Sequence, residues 1–241
     1  AFLSTDFRYT HQACEQAPCF EVIQFEGDGL ESINDVLKEN GVRTLGFESM
    51  DLSCSRYEKL RNKIEVEEFF PVTDLVEELR KIKDIMEIEK MREAARIADS
   101  AFSYILQFIK PGVKENEVAL ELEYFMKKNG ARALSFDTIV ASGERSCLPH
   151  GQASDKEIEM GDLVVLDFGC VYEGYCSDMT RTIGIGNLNE EQKKIYKIVL
   201  EAQIKGINVL GPGKTGREVD QAARNIINRY GYAQNFGHGL G

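Results

Sequence analysis

"VVLDFGCVYEGYCSDMTRT" (residues 164–182) is the stretch from which the rest of the chain can be read. A β-branched run leads into Asp167, a turn signal follows at Tyr172–Tyr175, and Asp178 then enters a second strand-like run. The pattern predicts a β-hairpin. A turn centred near Tyr172 and Glu173 places Asp167 directly opposite Asp178, and a one-residue slip leaves them cross-strand neighbours. Like charges in that position repel, and burying an unpaired carboxylate is costly. Either a cation compensates or one acid keeps its proton. Arg181, close in sequence, is one candidate and gives an ordinary Asp–Arg cluster. A divalent metal is the other, since oxygen-rich ligands with a single imidazole suit Mn²⁺, Co²⁺ or Zn²⁺.

Three histidines are available to such a site. His11 lies on a helical pattern ("FRYTHQACEQ") and reads as a surface or packing residue. His150 sits in the irregular "SCLPHGQASD", between a strand-like run ("FDTIVASG") and the hairpin. Loops held by a rigid scaffold are where chemistry concentrates. His238 sits in "NFGHGLG", whose glycines let another group or an ion come close to its imidazole. The six cysteines form no C-x-x-C pair and read as reduced thiols in a cytoplasmic protein. Cys170 and Cys176 flank the hairpin turn and are placed to face each other. "DFG" (residues 167–169) lacks the companion motifs of a kinase, and "GHGLG" (residues 237–241) lacks the helix that a dinucleotide fingerprint requires.

A repeat brackets the hairpin. "PGVKENEVALELEYFMKKNGA" from Pro111 and "PGKTGREVDQAARNIINRYGY" from Pro212 align at a constant offset of 101, pairing Glu117 with Glu218, Val118 with Val219 and Gly130 with Gly231. Continued without a gap, the offset pairs Ile97 with Ile198, Ala101 with Ala202 and Asp137 with His238. Each copy reads as helix, Pro-Gly turn, helix and strand. Two pseudo-equivalent α+β halves sharing one sheet are expected, with a site in the cleft between them; the period is too long for a solenoid.

Towards the N-terminus, short apolar runs ("AFLST", "FEVIQF", "TLGFES") alternate with helical patterns such as "GLESINDVLKENG", which predicts an α/β unit. "VEEFFPVTDL", with Pro71, reads as a connection. A helical pattern with apolar spacing through Ile82, Ile85, Met86, Met91 and Ile97 then runs to a stop at "KPG" (residues 110–112). The expected domains are residues 1–75 and 76–241.

The 241 residues suffice for one large core or two smaller ones, and 43% hydrophobic with 29% charged residues is an ordinary globular composition. Forty acidic against 29 basic residues give a net charge of −11, which argues against nucleic acid or an anionic membrane as partner. No apolar run approaches the roughly 20 residues of a membrane span, and no signal peptide is visible. The opening "AFLSTDFRY" reads as mid-strand, so a missing start is expected.

"ASGERSCLPHG", "GDLVVLDFGCVYEGYCSDMTRT", "PGKTGREVDQAAR" and "FGHGLG", in that order, resemble the pita-bread metallopeptidases, within them the Xaa-Pro aminopeptidase and Xaa-Pro dipeptidase (prolidase) branch. The region before residue 75 resembles the smaller creatinase-type N-terminal domain, which simple methionine aminopeptidases lack. The resemblance implies an α+β pita-bread fold preceded by that α/β domain, both incomplete. It implies that Asp167, Asp178 and His238 are three of five ligands to two divalent ions, Mn²⁺ first, with Co²⁺ or Zn²⁺ as alternatives. His150 matches the histidine that contacts substrate beside the scissile bond. The implied reaction is hydrolysis of Xaa-Pro bonds in proline-containing peptides or dipeptides, by a metal-bridging water or hydroxide. A homodimer is implied for the full-length form. The family's pattern adds a second histidine and two glutamates beyond "HGxG". The sequence stops at Gly241 before them, so a fragment with negligible activity of its own is expected. Two rivals share the fold: a non-hydrolytic binding or scaffolding module, and a metal-free creatinase-like amidinohydrolase. Retention of both aspartates and His238 favours the peptidase.

Overall fold

The computed structural model describes residues 1–237. The chain divides into two compact units, the first Ala1–Lys83 and the second from Asp84 onward. In the first, the alternation seen in the sequence becomes β1 (Phe2–Thr5), α1 (Thr10–Gln16), β2 (Glu21–Gln24), α2 (Leu30–Glu39), β3 (Thr44–Glu48), α3 (Cys54–Lys63), β4 (Glu68–Val72) and α4 (Leu75–Lys81). β1 pairs with β2, and β3 with β4, in both cases parallel. Parallel neighbours need a crossover, and a helix supplies it each time. Pro71 lies inside β4 rather than in a connection. A two-stranded sheet has only edge strands, and an edge strand tolerates the missing N–H. His11 lies on α1, exposed, 3.7 Å from Glu15.

The second unit opens with α5 (Ile85–Phe108), started by a reciprocal cap in which Asp84 and Glu87 each accept the other's backbone N–H. There follow α6 (Glu115–Lys128), β5 (Ala133–Leu134), β6 (Ile139–Ser142), β7 (Leu163–Phe168), β8 (Cys170–Tyr172), β9 (Tyr175–Cys176), β10 (Met179–Gly184), α7 (Glu190–Val209) and α8 (Gly216–Arg229). Ala94, Ile97, Ala98, Ala101 and Ile105 of α5 join Val118, Leu122 and Met126 of α6 in a core over Val140, Val164, Leu166 and Phe168. Of the apolar residues expected to mark the buried stripe, Ile97 is buried, whereas Ile82, Ile85 and Met86 are 85%, 74% and 68% exposed. The buried stripe is instead built largely on alanines, which let the helix lie close to its neighbours.

The repeat is real at the level of helices. α7 and α8 form their own small core from Ile198, Ala202, Ala223, Ile226 and Ile227, most of them counterparts of buried α5 and α6 residues. The single shared sheet is not seen among the described residues. The long hairpin serves two three-stranded sheets, β10-β7-β6 and β5-β8-β9. After α8, where a strand is expected, Ala233–Asn235 make a 3-10 turn. No helix among the described residues is long and apolar enough to cross a membrane.

Candidate active site

The hairpin turn falls at Glu173 and Gly174, with φ of 46° and 89°. That is the two-residue geometry whose twist suits a hairpin, and it needs positive φ at both positions. Tyr172 therefore pairs with Tyr175, one residue later than the sequence pattern suggests. The same register continues through β7 and β10, so Asp167 opposes Thr180, and Asp178 is its diagonal rather than direct neighbour. The slip changes the detail and keeps the two carboxylates adjacent. It separates the cysteines: Cys176 pairs with Val171, Cys170 is buried, Cys176 is exposed, and both are free thiols.

Gly169 makes this hairpin possible. A Cβ there would overlap the Ser177 carbonyl, so only glycine lets the two strands run this close where one sheet gives way to the other. Ser177 closes the joint by donating its N–H to the Cys170 carbonyl at 2.9 Å and accepting the Cys170 N–H on Oγ at 3.1 Å.

Asp167 is half-buried, and Thr180 donates its hydroxyl to Asp167 Oδ1 at 2.9 Å. Burial pushes its carboxyl above the usual carboxylate range and the nearby Asp178 charge adds to the rise, while the Thr180 hydrogen bond and His150 oppose it. Arg181 does not compensate the pair. Its guanidinium donates to the Thr180 carbonyl at 2.9 Å, lies 3.9 Å from Asp99 and sits over the Phe102 ring. Among the described residues neither carboxylate has a Lys or Arg ion-pair partner.

The two aspartates line a cavity of about 420 Å³ together with His150, Phe136, Asp137, Ile139 and Gln152. His150 reaches it on the loop between β6 and β7. That loop is stitched back to the sheet where Gln152 bridges Ile139, whose partner on its other side is Asp167. The structure thus brings together Asp167, Asp178 and His150; His238 lies outside the described residues. Asp137 and Gln152 were not singled out from the sequence. Asp137 left one trace there, as the repeat counterpart of His238.

Comparison with known proteins decides the family. Residues 89–241 match the model of metallopeptidase family M24, and residues 1–82 match the creatinase/prolidase N-terminal domain. The chain belongs to metallopeptidase family M24. Among M24 relatives, it is 48% identical over 237 residues to an uncharacterized peptidase, YqhT, of Bacillus subtilis, covering 98% of this chain and 67% of that protein. It is 51% identical over 201 residues to the Xaa-Pro dipeptidase of Pyrococcus horikoshii, covering 83% of this chain and 57% of that one. The solved Xaa-Pro dipeptidase from Bacillus anthracis superposes with a TM-score of 0.96 at 51% identity, over 99% of this chain and 67% of its own. The chain therefore spans 57% to 67% of the length of these relatives. The fold is the pita-bread fold with a creatinase-type domain before it.

The residues in hand fit part of an M24 metal site. Two carboxylates without a cationic partner, one of them half-buried, are hard oxygen donors suited to a divalent ion. Among the described residues, no three His, Cys, Asp or Glu side chains stand close enough to hold one ion together. Asp167 and Asp178 are thus candidate donors.

Proposed function

We propose that the protein is a metal-dependent peptidase that hydrolyses Xaa-Pro bonds at the N-terminus of peptides or in dipeptides. One observation carries this reading: the Asp167–Asp178 pair, uncompensated by Lys or Arg, shares a cavity with His150 in a chain of family M24. The naming of close relatives as Xaa-Pro dipeptidases supports the substrate class. Asp167 and Asp178, with His238, would hold two divalent ions, Mn²⁺ first and Co²⁺ or Zn²⁺ as alternatives. Such ions lower the pKa of a water and polarise a carbonyl oxygen. The chain's own residues do the rest. Thr180 holds the Asp167 carboxylate by donating its hydroxyl to Oδ1. His150, on the cavity wall, would donate to the substrate oxygen on which charge develops. The full-length form is read as a cytoplasmic homodimer.

The donor set visible here is too small for tight binding of two ions, so the 241-residue chain by itself should turn over negligibly. Calorimetric titration of Mn²⁺ into this chain, and into a form extended to the length of its relatives, tests the proposal. Tight two-ion binding and proline release from an Xaa-Pro dipeptide by the extended form alone are the expected results. Robust turnover by the 241-residue chain overturns the split-site reading, and absence of Mn²⁺ binding in both forms overturns the metallopeptidase.

A further inference from the structure

We propose that Glu115 is a positioning residue, the buried anchor that holds the His150 loop against Asp167 and Asp178. The consequence for turnover rests on the peptidase reading above; the anchoring itself does not.

Glu115 opens α6 and is fully buried, at 0% exposure. Its Oε1 accepts the Ser142 N–H at 2.7 Å and the Ser142 hydroxyl at 2.8 Å. Its Oε2 accepts Arg145 Nε at 3.1 Å, the Ser154 N–H at 3.1 Å and the Ser154 hydroxyl at 2.6 Å. One carboxylate thus gathers the residue that enters the loop, a residue within it, and the residue that leaves it. Arg145 passes the hold inward by donating Nη2 to the Gln152 carbonyl at 2.6 Å. Gln152 is the residue bridged to Ile139, two positions after His150. Lys156 ties the same base by donating to Ser142 Oγ at 3.0 Å and to Asp162 at 2.8 Å. Burial pushes the Glu115 carboxyl up, but the Ser154 and Ser142 donors and Arg145 more than reverse this and hold it below the usual range. It is therefore an ionised acceptor, and charge-assisted hydrogen bonds are the strong ones.

The internal repeat shows that the helix itself does not need this residue. Each copy starts its second helix with a glutamate that accepts the N-cap N–H: Glu117 from Lys114 at 2.8 Å, and Glu218 from Thr215 at 2.9 Å. At the offset that pairs Glu117 with Glu218, the counterpart of Glu115 is Gly216. The carboxylate is present only in the copy whose sheet carries the His150 loop. Stability is a poor explanation, because well-packed apolar side chains commonly replace a buried ionic group without loss. What an apolar residue cannot do is draw five donors, all from residues 142–154, to one point.

The test uses the chain labelled with ¹³C at histidine Cε1, with the three ring signals assigned by H11Q, H150Q and H238Q. In E115Q the His150 signal should shift while His11 stays in place. Amides of residues 143–154 should exchange at least about tenfold faster, as expected when a buried acceptor is lost. E117Q, which removes the capping carboxylate of the same helix, should leave the His150 signal unmoved. An unmoved His150 signal in folded E115Q overturns the proposal, as does an equal shift in E117Q. Should E115Q fail to fold, S154A removes one donor and keeps the carboxylate: a smaller shift in the same direction supports the anchor, and no shift overturns it. Mn²⁺ titration of the wild-type chain tests the metal reading separately, because the His150 signal is read without metal.

Discussion

Replacing Asp167 by Asn should make the metal-free protein more stable, and the size of the gain follows from the hairpin. Asp178 lies diagonally across the strand pair from Asp167, and the two carboxyls reach within hydrogen-bonding range of each other, so their charges are about 4 Å apart. Two unit charges that far apart repel by about 1 kcal/mol in bulk water and about 4 kcal/mol at an effective dielectric constant of ~20. Asp167 is half-buried and Asp178 exposed, so solvent screens much of this. A gain of about 1 kcal/mol is expected, near the solvent-screened lower limit. Asn keeps the oxygen that accepts from Thr180, so D167N removes the repulsion and the buried charge without orphaning the hydroxyl. For a chain of this length that gain corresponds to a rise in Tm of about 2–4 °C. The assay is thermal unfolding at pH 7 in excess EDTA, with urea midpoints as a check on the sign. A D167N midpoint equal to or below that of wild type refutes the reasoning, since it would mean that the pair carries no uncompensated charge in the folded state.

Other substitutions separate the remaining contributions. G169A forces a Cβ onto the Ser177 carbonyl and should lower stability by about 3 kcal/mol, at the top of the range for overpacking; calorimetric unfolding measures it. G174A meets nothing within 4 Å and pays only for its φ of 89°, so a smaller loss of about 1–2 kcal/mol is expected in the same measurement. D178A should abolish Mn²⁺ binding in titrations of the extended form while leaving its circular dichroism spectrum unchanged. Glu115 has a folded-state pKa below its unfolded value, so its contribution is present above about pH 4.3 and is lost as the pH falls through the lower folded value. The urea midpoints of wild type and E115Q should therefore converge only in that acid range.

The parts of the site governed by local spacing were legible in the sequence. Asp167 and Asp178 meet because a hairpin of that length brings them together wherever its turn falls within a residue. The turn itself was misplaced, because Gly174, which accepts positive φ without strain, draws the turn toward itself. Asp137 and Gln152 were hidden because they reach the cavity through the Ile139–Gln152 bridge, a contact between strand and loop that no periodicity encodes. The five donors on Glu115 were hidden for the same reason. On α5 the largest apolar side chains misled, since close packing selects small ones. Pro71 reads as a break only when the strand is assumed to have neighbours on both sides.

The seam at Gly169 has a consequence for the life of the protein. One strand pair belongs to two sheets there, with Asp167 in β7 before the seam and Asp178 facing it from the returning strand. An ion held by both carboxylates would act as a rivet across that seam, present only when both sheets have formed. Such an ion favours the folded chain alone, so stability would climb with the logarithm of metal concentration once its Kd is exceeded. Molecules made under metal starvation would carry the loosest seam and be the first cleared by proteolysis, so the abundance of the protein would itself record the supply of metal.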